Sequence, residues 1–252
     1  MVDRREFLTT AAGLAGAALL AAPAEAVDRP AKFAAIAFDA FPIFDPRPVA
    51  ALCEALFPSR GGELVAMWRT RQFEYAWLRS LSKSYADFES VTEDSLTFAT
   101  KALKLELTAE KRAQLLQAHF QLKAWPDAAP ALTKLKALGV RLAFLSNFTQ
   151  NMLDGCIKAS GLGGMFDLVL STDSARTYKP DPRAYQMGLD AFGLKHEEIV
   201  FAASASWDAA GAKAFGYPSF WVNRANLPVE ALGVAPDAIG SGMAELVTFI
   251  AG

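Results

Sequence analysis

Five short, nearly uninterrupted apolar runs constrain this chain more than any other feature. They span residues 32–38, 140–145, 166–170, 199–203 and 219–222, each separated from the next by at least a helix length or a turn-rich connection. A strand that is apolar on both faces has to be covered on both faces. Such strands alternating with amphipathic stretches such as 128–138 and 182–192 therefore predict parallel βαβ units: an α/β fold with a Rossmann-like open sheet and helices on either side. Ligands of such sheets bind beyond the carboxyl ends of the strands, so the residues following each run are the candidates for function.

The stretch between the first and second runs breaks the alternation. Residues 48–123 carry helical periodicity, many charges and the aromatics Trp68, Phe73, Tyr75, Trp77, Tyr85 and Phe88, with no convincing strand. This predicts an inserted helical cap over 48–123, set in an α/β core of 27–47 and 124–252. Because the insert leaves directly after the first strand, it is expected to fold over that strand's carboxyl end and exclude water there.

Residues 1–26 stand apart from both. Arg4-Arg5-Glu6-Phe7-Leu8 leads into an alanine- and leucine-rich stretch that ends Ala24-Glu25-Ala26. A twin arginine, a moderately apolar centre and an A-x-A ending match a twin-arginine export signal, and hence a periplasmic address. The competing reading is an uncleaved anchor, for which the apolar run from Leu8 to Pro23 is short.

Composition narrows the function classes. The 252 residues are 52% hydrophobic and 21% charged, with 2 Cys and 2 His, which suits a globular core and neither disorder nor a disulfide-stapled mini-domain. Without the leader's two arginines and three acids, 23 basic residues face 24 acidic ones in a well-mixed pattern. That leaves no footprint for nucleic acid, nor for a membrane once the leader is removed. Cys53 and Cys156 sit in helix-like segments and read as two buried thiols, with pairing in an oxidising compartment as the alternative. His119 and His196 lie in charged, helical surroundings and read as surface residues, which disfavours a Ser-His-Asp hydrolase.

At the strand ends stand Asp39, then Ser146-Asn147, then Lys179 in Tyr178-Lys179-Pro180-Asp181, then Asp208. Singly each has an ordinary explanation: a helix cap, a turn pair, a surface ion pair between Lys179 and Asp181. In this order, with a helical insert after the first, the set resembles the haloacid dehalogenase superfamily, and within it the type II (S)-2-haloacid dehalogenases. The resemblance rests on Phe38-Asp39-Ala40-Phe41 through Phe44-Asp45, on the cap segment from Met67 to Arg79, on Leu145-Ser146-Asn147, and on Trp207-Asp208-Ala209-Ala210-Gly211-Ala212.

The resemblance implies hydrolysis of a small 2-haloacid with inversion, through an ester on Asp39. It makes Arg69 and Asn147 the halide acceptors and Ser146 a holder of Asp39 or of the substrate carboxylate. Asp208 orients Lys179 and the hydrolytic water. Phe41, Phe73, Phe88 and Trp207 form an apolar wall, Tyr185 supports Lys179, and cap helices mediate a homodimer. No metal or other cofactor is implied: Phe41 occupies the place where superfamily phosphatases carry a second, proton-donating acid, and a halide leaves without needing a proton. Asp208 also lacks the paired acid that Mg²⁺ would want.

The chain departs from that pattern at several positions. Pro42-Ile43 replaces a Gly-Thr-Leu, which removes one residue and a threonine hydroxyl, and a tyrosine becomes Phe41. Ala203 and Ala205 replace a Ser and an Asn, leaving Ser204 and Ser206 as the hydroxyls that could substitute. Two other readings accordingly stay open: a Mg²⁺-dependent phosphatase, and a member of the fold that binds a small carboxylate or a protein partner without turnover.

Overall fold

The computed structural model describes residues 31–252. The leader and its export signal lie outside the described residues.

Six parallel strands form one sheet: β1 (Ala35–Phe38), β2 (Arg141–Ser146), β3 (Leu168–Ser171), β4 (Ile199–Ala203), β5 (Ser219–Val222) and β6 (Ala238–Gly240), in the spatial order β3-β2-β1-β4-β5-β6. The order reverses on either side of β1, which places the topological switch point at the end of that strand. Register brings the ends together, because Phe38 pairs with both Phe144 and Ala202. Asp39, Ser146 and Ala203 thus leave the sheet at one edge.

Alternation along the strands assigns the two faces. Ile36, Phe38, Leu142, Phe144, Val200 and Ala202 pack into one buried cluster; Ala35, Ala37, Ala143, Leu145, Ile199, Phe201 and Ala203 pack into the other. The second cluster is closed by α8 (Pro182–Phe192) and α9 (Ser206–Phe215), and the first by α6 (Ala128–Ala137) and α10 (Met243–Ala251). Burial on both faces explains the near-continuous apolar runs. The sixth strand, β6, was not expected from sequence, since three residues at a sheet edge are too short to show a pattern.

Between β1 and β2 the chain is helical, with α1 (Ala40–Ile43), α2 (Arg47–Leu56), α3 (Gly61–Leu81), α4 (Phe88–Ala102) and α5 (Ala109–Ala118) preceding α6. Helix α3 is locked to α4 by Trp68, whose Nε1 donates to the Thr92 carbonyl at 2.8 Å, and by Gln72, whose Nε2 donates to Thr92 Oγ1 at 2.9 Å. Three contacts fix these helices over the sheet edge. Tyr178 Oη donates to the Ala86 carbonyl at 2.6 Å, Tyr85 Oη to Asp173 at 2.7 Å, and Trp77 Nε1 to the Lys179 carbonyl at 3.2 Å.

His119 corrects the expectation of a surface residue. It is 7% exposed, its ring edge-on to Trp68 with centroids 4.9 Å apart and Nδ1 bonded to the Leu115 carbonyl at 3.1 Å. The charges flanking it in sequence point away because α5 turns only one face to the core. His196 is half-buried beside Phe215. Cys53 on α2 and Cys156 on α7 (Gln150–Ser160) are both buried, and burial pushes their thiols up to about 12 and about 11. Among the described residues no helix is long and apolar enough to cross a membrane.

Candidate active site

Asp39 follows β1 and caps α1, its Oδ2 accepting the Phe41 N–H at 3.2 Å. The ordinary explanation for a strand-end aspartate, a helix cap, is therefore true here, and it uses only one oxygen. The other, Oδ1, accepts a hydrogen bond from Lys179 Nζ at 2.9 Å. Lys179 has no exposed surface and donates as well to Asp208 Oδ2 at 2.7 Å, with its ammonium 4.9 Å from the Phe201 ring centre. Asp181, the alternative partner, binds Arg183 and Thr177 instead.

Two carboxylates and one ammonium share a space that water barely reaches. An unpaired ion there would cost several kcal/mol, so each member depends on the others. Burial alone would lower the Lys179 pKa, but the charges of Asp208 and Asp39 outweigh it and hold the ammonium above its ordinary value. Burial raises Asp208 to about 6, with the Asp39 charge adding and Lys179 opposing.

Tyr185, expected in support of Lys179 and beside the substrate, reaches Lys179 through Asp208 and stands away from the cavity. Its hydroxyl donates to Asp208 Oδ1 at 2.7 Å, it is completely buried, and it does not line the cavity beside Asp39. No hydrogen bond joins it to Lys179 among the described residues; its support passes through Asp208, which bonds both. The orientation of α8, which turns Tyr185 inward toward α9, is what sequence could not supply.

The carbonyl oxygen of the Asn147 side chain accepts the Lys179 N–H at 3.0 Å and the Thr172 hydroxyl at 3.2 Å. Two donors on one oxygen define which way the amide points, leaving its NH₂ group as a donor at the cavity wall. Ser146 lines the same wall; its Oγ accepts the Phe148 N–H at 3.1 Å and does not bond Asp39.

Asp39, Ser146, Asn147 and Asp208 form the polar side of a cavity of about 20 Å³, and Phe41, Phe73, Phe88, Phe148 and Trp207 the apolar side. That volume is room for about one water molecule. Neither Ser204 nor Ser206 reaches it, since Ala205 faces it alone from that loop; the Ser206 hydroxyl is buried without a partner. The cavity adjoins a cleft of about 1010 Å³ that shares Phe41, Phe73, Ala205 and Trp207 and brings in Arg69. The Arg69 guanidinium stands 5.5 Å from the Phe41 ring centre and 5.9 Å from that of Phe73. It makes no ion pair among the described residues. Burial lowers its pKa and the Asp39 charge raises it.

The structure thus gathers Asp39, Ser146, Asn147, Lys179 and Asp208 with the four aromatic residues, and sets Arg69 at the rim. Sequence reasoning missed Phe148, although it directly follows Ser146-Asn147, and Thr172, for which no local signal exists. The donor set does not fit a divalent cation: the ammonium lies between the only two carboxylates, and no cluster of three or more His, Cys, Asp or Glu occurs among the described residues.

An oxyanion beside a buried ammonium, facing a small aromatic cavity with amide and guanidinium donors around it, can attack a carbon and let an anion leave. Known proteins with this architecture agree. The chain is 41% identical over 203 residues to an (S)-2-haloacid dehalogenase of Pseudomonas sp. (strain YL), covering 80% of this chain and 88% of that one. It is 39% identical over 221 residues to haloacetate dehalogenase H-2 of Moraxella sp. (strain B), covering 87% and 99%. The solved structure of the L-2-haloacid dehalogenase from Xanthobacter autotrophicus with chloropropionic acid covalently bound superposes with a TM-score of 0.80 at 32% identity, covering 87% and 99%. With a family profile matching residues 12–216 as well, this chain belongs to the haloacid dehalogenase-like hydrolases.

Proposed function

We propose that this chain hydrolyses short (S)-2-haloalkanoic acids to (R)-2-hydroxy acids through an ester on Asp39, without a metal ion. The observation that carries the reading is the Lys179 ammonium between Asp39 and Asp208. A fixed cation 2.9 Å from the nucleophile supplies its counter-charge in a nearly dry cavity, where a divalent ion would otherwise be needed. The names of the relatives and the covalent chloropropionic acid adduct of the Xanthobacter enzyme support the same chemistry.

In the first step an Asp39 carboxylate oxygen attacks C2 of the substrate from the side opposite the halogen. The C–O bond forms as the carbon–halogen bond breaks, and the halide leaves with its electron pair toward the Arg69 guanidinium and the Asn147 amide. In the second step water adds to the Asp39 carboxyl carbon and the ester C–O bond to that carbon breaks. The hydroxy acid departs, the carboxylate is restored, and one proton is released. Asp208, with its pKa near 6, is the acceptor closest to Lys179 for orienting that water. Halide release from L-2-chloropropionate, undiminished by chelator and abolished in Asp39→Asn, tests the proposal; no halide from chloro-, bromo- or fluoro-acids would contradict it.

Two further parts of the reading go with it. The twin-arginine leader exports the chain to the periplasm, supported by Arg4-Arg5 and the A-x-A ending, and replacing both arginines by lysine should retain the protein in the cytoplasm. A homodimer through the cap helices accords with the exposed Leu78 and Leu81 on α3, and sedimentation of the purified protein tests it.

A further inference from the structure

The turn that carries the nucleophile is only one helical turn long, from Ala40 to Ile43, and such a turn can satisfy almost none of its own carbonyls. Ala40 O accepts the Phe44 N–H at 2.8 Å; the other three are bonded from elsewhere in the chain. Trp125 takes two of them, its Nε1 donating to the Phe41 carbonyl at 3.0 Å and its backbone N–H to the Ile43 carbonyl at 2.9 Å. Arg224, just after β5, takes the remaining one, with Nη2 at 3.3 Å from the Pro42 carbonyl.

Both groups are themselves held. Asp127 grips the Arg224 guanidinium at 3.0 and 2.8 Å and accepts the Met243 N–H at 2.9 Å, tying it to the start of α10. Two guanidinium groups stand over the Trp125 ring, Arg224 at 4.4 Å and Arg47 at 4.5 Å from its centre, and Arg47 is paired with Asp45. A cation over an indole face is attractive, and two of them fix the ring in its plane.

We propose that Trp125 and Arg224 are positioning residues for Asp39: together they clamp the carbonyl side of the α1 turn, so that the Phe41 N–H and Lys179 Nζ hold the carboxylate in one orientation for attack. This rests on the reading of Asp39 as the nucleophile. Neither residue lines the 20 Å³ cavity beside Asp39, while both line the adjoining 1010 Å³ cleft with Arg69, so the split between kcat and KM separates an effect through the turn from one on substrate entry. The halide-receiving groups Arg69 and Asn147 sit on α3 and after β2, and neither is hydrogen-bonded to Trp125 or Arg224, so loosening the turn should slow the displacement more than it weakens binding.

Trp125→Phe keeps an aromatic ring against the two guanidinium groups and removes the Nε1–H to the Phe41 carbonyl. The expected result is a kcat lowered roughly tenfold, KM within about twofold, and melting temperature nearly unchanged. Arg224→Lys should retain part of the activity and Arg224→Ala lose more, which also covers the case in which one variant fails to fold. Amide exchange of Phe41 and Phe44, followed by mass spectrometry, should quicken in Trp125→Phe and Arg224→Ala. Unchanged kcat in Trp125→Phe and Arg224→Lys, or a lowered melting temperature with kcat intact, would overturn the proposal. Wild-type protein is assayed first: if it releases no halide, the dehalogenase reading has failed, and the exchange measurement still decides whether the clamp holds the turn.

Discussion

Lys179 Nζ lies 2.9 Å from Asp39 Oδ1 at the end of a side chain with no exposed surface. The two residues are 140 positions apart in sequence, joined by the parallel register that ends β1 and β3 at one edge of the sheet.

Removing the cation should harm both folding and chemistry. Lys179→Met leaves Asp39 and Asp208 buried with no counter-ion, and one of them must take up a proton. Breaking a buried pair in this way costs about 3 to 5 kcal/mol. Urea unfolding should show that loss, and halide release should fall below detection; a variant as stable as wild type would mean the ammonium is not the group that neutralises the two acids.

Asp208 should set the acid side of the pH profile. Burial holds its carboxyl up at about 6, and the Tyr185 hydroxyl is one of the groups that oppose this by bonding the ionised form. Below that pH the carboxylate is protonated and Lys179 loses an acceptor, so kcat/KM should decline as pH falls through about 6. Tyr185→Phe removes a donor to the charged form, so the carboxyl moves higher and the decline should begin at higher pH. A profile that does not move on this substitution would separate Asp208 from the titration.

Arg69 should matter through the shape of its side chain and not its charge alone. Its guanidinium spans the Phe41 and Phe73 rings at the cleft rim, where a planar fork can reach a departing halide. Arg69→Lys keeps one positive charge and is expected to lower kcat/KM roughly a hundredfold. Near wild-type rates in that variant would remove Arg69 from the halide site.

His119 should make the protein acid-sensitive. Burial lowers it from 6.5 to about 4, while its bond to the Leu115 carbonyl opposes the shift. The unfolded chain then binds a proton that the native state refuses between those values, so this contribution to stability is complete above about 6.5 and is lost as pH falls toward 4. The loss is on the order of 3 kcal/mol. His119→Gln, neutral throughout, should show a flatter dependence of unfolding free energy on pH; equal slopes would contradict the burial argument.

Much of this was legible in sequence because the responsible signals are local. Continuous apolar runs announced β1 to β5, and the polar residues at or a few positions beyond their carboxyl ends, Asp39, Ser146, Asn147, Lys179 and Asp208, proved to be neighbours because parallel strands in register share an edge. What sequence did not carry depends on rotation and on distance along the chain. Tyr185 was readable as a support for Lys179, but that the support runs through Asp208 depends on the facing of α8 toward α9. His119 looked like a surface residue because its sequence neighbours are charged, while α5 turns that one position inward. Trp125 and Arg224 are nearly a hundred residues apart in unremarked segments, and only the fold brings both to the carbonyls after Asp39. Ser204 and Ser206, the apparent replacements for lost polar groups, line the adjoining cleft and not the small cavity, which Ala205 between them lines instead.

The central claim is that Asp39 is esterified and that water then attacks its carboxyl carbon. A single turnover with enzyme in excess over L-2-chloropropionate in H₂¹⁸O tests this most directly. The account predicts one ¹⁸O in the Asp39 side chain, read by mass spectrometry of the peptide containing it, and unlabelled lactate in that first turnover. Labelled lactate with an unlabelled Asp39 would contradict it.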